Sequence, residues 1–359
     1  MWNRRRHALT VVAAFLLVLV IGCTSSRDTA SAGRGEESGT SLRGEAVTGS
    51  RSNGVGRPTI VVTTSILGDV VGELVGDQAE VVTIMPAGVD PHEFSPSAKQ
   101  VDQIRRADVL IANGAGFEAG LVDVIRAARA DGVAVYDAIS AVEALTLDDD
   151  GHRLSGESGS GHEHDERGTS VSPAVADQGT TVVDPHFFTD PRRMASAVRG
   201  ISDFVVANVA QLDAASVQAR TKAYVAALEN LDAELATMFG VIPAERRVLV
   251  TNHEVFRYFA DRYGFEVVGA VIPGGATADE PSAADLDALA RLMKAKNVRA
   301  VFADVASSDK LAHALAAEVG GDVRVVELFS ESLGGPASGA ATYLEMMRTN
   351  GQRIVEALR

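Results

Sequence analysis

The sequence predicts an α/β protein of two similar lobes, each a mostly parallel sheet flanked by helices, joined by one long rigid helix. Three observations predict it. Short β-branched runs alternate with helical apolar patterns on both sides of the chain's middle. A polar, histidine-bearing stretch, 147–179, interrupts the alternation. A continuous apolar stripe of helical spacing then follows, beginning behind Asp190-Pro191.

The chain begins with Arg4, Arg5 and Arg6, an apolar run from Ala8 to Ile21, and Gly22-Cys23. A basic head, an apolar run too short for a comfortable membrane span and a small residue before a cleavage point make residues 1–22 a signal peptide. Val20-Ile21-Gly22-Cys23 resembles a bacterial lipobox, so Cys23 is the expected lipidation site and membrane anchor. It is the only cysteine, which excludes an intrachain disulfide. Residues 23–57 are rich in Ser, Gly, Arg, Glu and Thr and read as a disordered tether. The formal net charge is -15, which argues against a nucleic-acid partner.

Residues 58–190 form the expected N-terminal lobe. Strands are predicted at 59–63, 81–85, 109–112 and 133–136, with helices at 66–74, 97–104 and 117–128 between them. Gly114, Gly116 and Gly120 are spaced for a tight strand-to-helix turn and not for a dinucleotide fingerprint. The acidic 147–179 loop carries His152, His162 and His164, a possible auxiliary site for loose metal capture. Met194, Val198, Ile201, Val205, Val209 and Leu212 step by four and three, so residues 191–212 are assigned as the linker helix. In the C-terminal lobe, 213–359, a helix behind Asp213 comes first. Strands at 248–251, 266–269, 300–303 and 323–328 then alternate with helices at 255–262, 283–295, 310–319 and 342–358.

Four residues sit at predicted strand-to-loop exits, two from each lobe: His92, His186, His253 and Glu331. Open α/β sheets bind ligands beyond the carboxyl ends of their strands. Three neutral imidazoles and a carboxylate make a tetrahedral zinc site in an inter-lobe cleft, with zinc ahead of manganese, which prefers more oxygen. His92 and His186 each follow Asp-Pro, and proline stiffens both itself and the residue before it. Asp90, Asp184 and Glu254 are close enough to orient an imidazole through its other nitrogen, and Glu254 is also placed to serve as a ligand itself. At neutral pH such a set is already deprotonated, so binding is expected to release few protons near pH 7. His253-Glu254 begins like a zinc-protease helix, but Arg257 stands where the second histidine belongs, and there is no nucleophile elbow. An enzyme is therefore not expected.

Several segments match one family in order: Ile60-Val61-Val62-Thr63-Thr64-Ser65-Ile66, Asp90-Pro91-His92-Glu93-Phe94-Ser95-Pro96-Ser97, Ala112-Asn113-Gly114-Ala115-Gly116-Phe117-Glu118, Asp184-Pro185-His186, Asn252-His253-Glu254-Val255-Phe256-Arg257-Tyr258-Phe259, Glu280-Pro281-Ser282, and Thr342-Tyr343-Leu344-Glu345-Met346-Met347-Arg348-Thr349-Asn350. With these the chain resembles the zinc/manganese solute-binding lipoproteins of metal ABC transporters. The resemblance implies two α/β lobes joined by one rigid helix, with metal between them. His92, His186 and His253 fall on the family's three histidine ligands. Manganese members generally carry glutamate where His253 stands, which again favours Zn²⁺ over Mn²⁺. The family's last ligand is usually aspartate, whereas this chain has Glu331, whose longer arm can bind, reach differently or yield to water. By resemblance, the protein works outside the cytoplasm as a monomer. It is lipid-anchored to the outer face of the membrane or periplasmic, and it delivers zinc to an ABC permease, with a zinc-donor protein as a further partner. A manganese-binding role and a surface adhesin are the alternatives.

Overall fold

The structure is a computed structural model that describes residues 56–147, 182–272 and 281–359. Residues 1–22, expected as a signal peptide, Cys23, nearly all of the 23–57 segment, the 148–179 part of the polar loop with His152, His162 and His164, and Glu280 lie outside the described residues. No helix among the described residues is long and apolar enough to cross a membrane.

The first half carries β1 (Thr59–Val62), α1 (Ser65–Val75), β2 (Glu80–Thr83), α2 (Ala98–Arg105), β3 (Val109–Ala112), α3 (Val122–Ala130) and β4 (Ala134–Asp137). A small antiparallel ribbon pairs β5 (Thr146–Leu147) with β6 (Val182–Val183). Two long helices follow, α4 (Pro191–Asn208) and α5 (Ala214–Phe239). The second half comprises β7 (Val248–Thr251), α6 (Arg257–Tyr263), β8 (Glu266–Ala270), α7 (Ala283–Ala295), β9 (Ala300–Asp304), α8 (Lys310–Val319), β10 (Arg324–Leu328) and α9 (Tyr343–Leu358).

The first sheet has strand order β2-β1-β3-β4 and the second β10-β9-β7-β8, with every pairing in both parallel. Counted from each half's first strand, the order is the same, so the second half repeats the topology of the first. The inner strands β3 (VLIA) and β9 (AVFAD) are buried along their whole length, as parallel strands covered on both faces must be. Parallel strands share one carboxyl edge, and the order reverses between β1 and β3 and between β7 and β9, the switch points where such sheets take ligands.

The helix starts follow local chemistry. Thr64 caps α1 by accepting the Leu67 N–H, Ser97 forms a capping box with Gln100 at α2, and Asp190 caps α4 with Pro191 at its first position. The helix predicted from residue 117 begins at Val122, because 113–120 is spent on turns. The helix predicted from 255 begins at Arg257, because the Val255 N–H bonds back to the His253 carbonyl.

The 191–212 linker assignment falls on α4, which ends at Asn208, packs against β3, β4 and α1, and reaches α6 of the second half through Arg193, whose guanidinium donates to Asp261 at 2.9 Å. α5 packs on α1 of the first half and on α9 of the second, so it also spans the two. Its buried stripe, Val217, Thr221, Tyr224, Leu228, Leu231 and Leu235, contains one carboxylate, Asp232. Asp232 accepts from Arg192 of α4 at 2.9 Å, from Arg262 of α6 at 2.6 and 2.7 Å and from Tyr263 at 3.2 Å. Burial works against its charge, but the two guanidiniums outweigh it and lower its pKa. One apolar core runs through both halves, from Ile60, Leu67 and Leu74 through Met194 and Leu228 to Phe259, Phe302 and Ile354.

Candidate metal centre

His186 leaves β6 on a segment whose backbone is bonded from both halves. The Asp184 carboxylate accepts the His186 N–H at 3.0 Å and its ring Nδ1–H at 2.8 Å, which fixes the ring tautomer. Tyr258 of α6 donates its hydroxyl to the Asp184 carbonyl at 2.7 Å and accepts the Leu145 N–H at 2.9 Å. The Asn113 amide donates to the Pro185 carbonyl at 3.0 Å, and the Tyr343 hydroxyl of α9 to the Phe188 carbonyl at 2.7 Å. Burial pushes the Tyr258 hydroxyl up to about 12 and holds Tyr343 well above the usual tyrosine range, so both remain neutral donors.

His92 follows β2 on the loop that starts at Pro86, and Asp90 accepts its backbone N–H at 2.8 Å. Phe117 stands edge-on to both rings, 5.4 Å from His92 and 5.7 Å from His186. Its loop is organised by buried Glu118, which accepts from the Thr63 hydroxyl and the N–H groups of Asn113 and Gly114. Gly114 and Gly116 turn at φ +90° and +76°, and a Cβ on Gly120 would lie 1.9 Å from the Phe94 carbonyl oxygen. These glycines shape a turn pressed against the His92 loop, as the sequence suggested. His253 stands two residues beyond β7, and Glu331 three beyond β10.

The structure brings His92, His186, His253 and Glu331 together, with one ligand atom from each lying within 4.8 Å of the others. Glu331 Oε1 is 2.8 Å from His92 Nε2, 3.0 Å from His253 Nε2 and 3.1 Å from His186 Nε2. A zinc tetrahedron with bonds of about 2.0–2.1 Å has edges of about 3.3 Å. The three imidazole nitrogens already stand a few tenths of an ångström closer to Oε1 than that spacing. His253 is 0 % exposed, yet neither ring nitrogen has a hydrogen-bond partner among the described residues. Its Nε2 is close to Glu331 but poorly aligned for a hydrogen bond. An orphaned buried imidazole is costly unless something else binds it.

Asp184 reaches an imidazole ring, whereas Asp90 meets the His92 backbone. Glu254 is half-buried and stays outside the cluster.

The electrostatics favour a cation. Burial works against charge on Glu331, but the imidazoles of His253, His186 and His92 outweigh it and hold its carboxyl well below the usual carboxylate range. Burial likewise opposes charge on His186, but Asp184 and Glu331 override it and push His186 up to about 9. The pocket thus favours positive charge where the four ligand atoms converge.

Asp304 at the end of β9 went unnoticed in the sequence. It accepts the Ser330 N–H at 3.1 Å, the Ser330 hydroxyl and the Ala306 N–H at 2.6 Å, beside Glu331. Burial and the Glu331 charge raise its pKa. One acid among many in an α/β sequence carries no signal of this kind.

Residues 60–357 match the family model described as ZnuA, zinc-uptake complex component A, periplasmic. The chain is 29% identical over 309 residues to the zinc-binding protein TroA of Treponema pallidum, covering 84% of this chain and 89% of that protein. It is 27% identical over 325 residues to the manganese-binding lipoprotein MntA of Halalkalibacterium halodurans, covering 90% and 92%. It is 25% identical over 319 residues to the iron ABC transporter substrate-binding lipoprotein MtsA of Streptococcus pyogenes, covering 87% and 92%. A solved structure of the Treponema pallidum periplasmic zinc-binding protein TroA superposes with a TM-score of 0.70 at 27% identity, over 84% of this chain and 99% of that one. The four clustered residues all lie inside the matched span, and the chain belongs to the ZnuA family of metal-binding, solute-binding proteins of ABC transporters, which are not enzymes.

Proposed function

We propose that this protein captures Zn²⁺ outside the cytoplasm and delivers it to a membrane permease, with His92, His186, His253 and Glu331 as the four ligands. The observation that carries this reading is the buried His253 ring, both of whose nitrogens lack a hydrogen-bond partner among the described residues while Nε2 points into a compact N₃O set. Three imidazole nitrogens and one carboxylate suit zinc in a closed tetrahedral site. Asp184 supports the choice by raising the basicity of His186. The cation is cargo, bound and released unchanged.

Manganese is the competing cargo, since relatives of similar likeness are named for manganese and for iron. A harder cation asks for more oxygen ligands than this set supplies. Lipidation at Cys23 would tether the protein to the outer face of the membrane, in reach of a permease and of a zinc-donor protein. It would work as a monomer, and the loop around His152, His162 and His164 would act as a loose collector. Metal analysis of untagged protein purified without chelators, followed by direct competition between zinc and manganese, tests the reading. One equivalent of zinc that excess manganese fails to displace is the expected result. Preferential retention of manganese would overturn the zinc assignment, and loss of both would overturn the site.

A further inference from the structure

The segment that carries Glu331 is held from both sides of the seam between the halves. On its own half, Asp304 anchors Ser330. Across the seam, the Leu333 N–H donates to Ser65 Oγ at 3.0 Å, and the Ser65 and Ser332 hydroxyls lie 3.1 Å apart. The Gly88 N–H reaches Ser332 Oγ at 2.8 Å and the Leu333 carbonyl at 3.1 Å. Ser65 opens α1, yet Thr64 supplies the cap of that helix, which leaves the Ser65 hydroxyl for the seam. Ser65 and Ser332 are both buried. Gly88 lies on the loop that leads to His92. Two segments of the first half thus grip the two residues that follow Glu331.

We propose that Ser65, Ser332 and the Gly88 N–H form a clasp across the seam that positions Glu331 against the imidazoles and sets how long the metal stays bound. The inference rests on the metal-capture reading above. Release requires Glu331 Oε1 to withdraw from three nitrogens that stand within 3.1 Å of it. The 330–333 segment cannot follow its own sheet outward until the bonds to Ser65 and Gly88 break. These are neutral hydrogen bonds, each weak enough to open without an external input. Asp304 then keeps Glu331 attached to the second half, so opening separates the carboxylate from His92 and His186 together.

The test is zinc release into excess chelator, followed by stopped flow, for the wild type, Ser65→Ala, Ser332→Ala and Ser202→Ala. Ser202 is a buried serine of α4 whose hydroxyl bonds to Thr221 of α5, away from the seam. Both clasp variants should release zinc about tenfold faster with association changed less than twofold. The Ser65→Ala/Ser332→Ala double variant should be faster than either single one, because Ser65→Ala keeps the Gly88–Ser332 bond and Ser332→Ala keeps the Leu333–Ser65 bond. The visible spectrum of the cobalt-loaded clasp variants should shift as the carboxylate geometry loosens. Ser202→Ala should lower the melting temperature while releasing zinc at the wild-type rate. Wild-type release rates and an unchanged cobalt spectrum in both clasp variants would overturn the proposal. So would acceleration in all three variants in proportion to lost stability. If the wild type takes up no zinc, the metal-capture reading itself falls, and the clasp's task with it.

Discussion

Tyr258→Phe removes a single oxygen from the seam beneath His186, and the structure gives its size. The Tyr258 ring and Asp184 are both 0 % exposed, so the Asp184 carbonyl would lose its donor with no water to replace it. A buried acceptor left unpaired costs about 1–3 kcal/mol. The Leu145 N–H also loses its acceptor, but Leu145 is only half-buried and water can compensate in part. The sum is a loss of roughly 2–3 kcal/mol for the metal-free protein. It should appear in urea unfolding as a lower midpoint with an unchanged slope. Asp184 also orients His186, so zinc affinity, measured by chelator competition, should fall about tenfold, or about 1.4 kcal/mol. Tyr224→Phe is the control. Its buried hydroxyl has no partner among the described residues, and removing it should lower neither quantity. Tyr258→Phe behaving like that control in both assays would refute the idea that the two halves jointly hold the 184–188 segment.

Three further outcomes are expected. His186→Ala should lower zinc affinity at least 100-fold with the circular dichroism spectrum intact; unchanged affinity in calorimetry would remove His186 from the site. Asp69→Asn should stabilise the protein at pH 8 and not at pH 4. Burial, with Glu73 and Glu345 nearby, raises the Asp69 carboxyl to about 6, so its proton is held more tightly when folded, and stability is lost as pH rises from about 4 through about 6. Discounted for partial exposure the gain is roughly 1–2 kcal/mol, and a lower melting temperature at pH 8 would contradict it. Replacing residues 148–179 by a short turn should leave zinc affinity at equilibrium unchanged while slowing uptake from a donor chelate. An unchanged uptake rate would leave that loop without a part in metal capture.

Much of this protein was legible in the sequence because its signals are local. β-branched runs such as Val109–Ala112 and caps such as Ser97 and Asp190 are written within a few residues, and the elements lie where those patterns put them. The three histidines stood out because strand exits of parallel sheets are where ligands gather. The part played by α5 was not legible for a physical reason. α4 and α5 both carry helical apolar stripes, and only the placement of α9 decides which stripe meets it. Asp232 interrupts the stripe of α5, and its partners Arg192 and Arg262 are far off in the chain. The partners of the metal centre were hidden in the same way. Tyr258, Tyr343, Ser65 and Ser332 act through single hydroxyls across the seam, and no periodicity marks a hydroxyl whose partner lies more than seventy residues away.

The unbroken apolar interior has a thermodynamic consequence. With Leu228 of α5 buried in the same interior as Ile60 of one sheet and Phe302 of the other, neither sheet can melt while its neighbour stays ordered. Calorimetry should record one heat-absorption peak and not two. A cation gripped at the junction should then move that whole peak upward, by an amount set by the ratio of free metal to its dissociation constant.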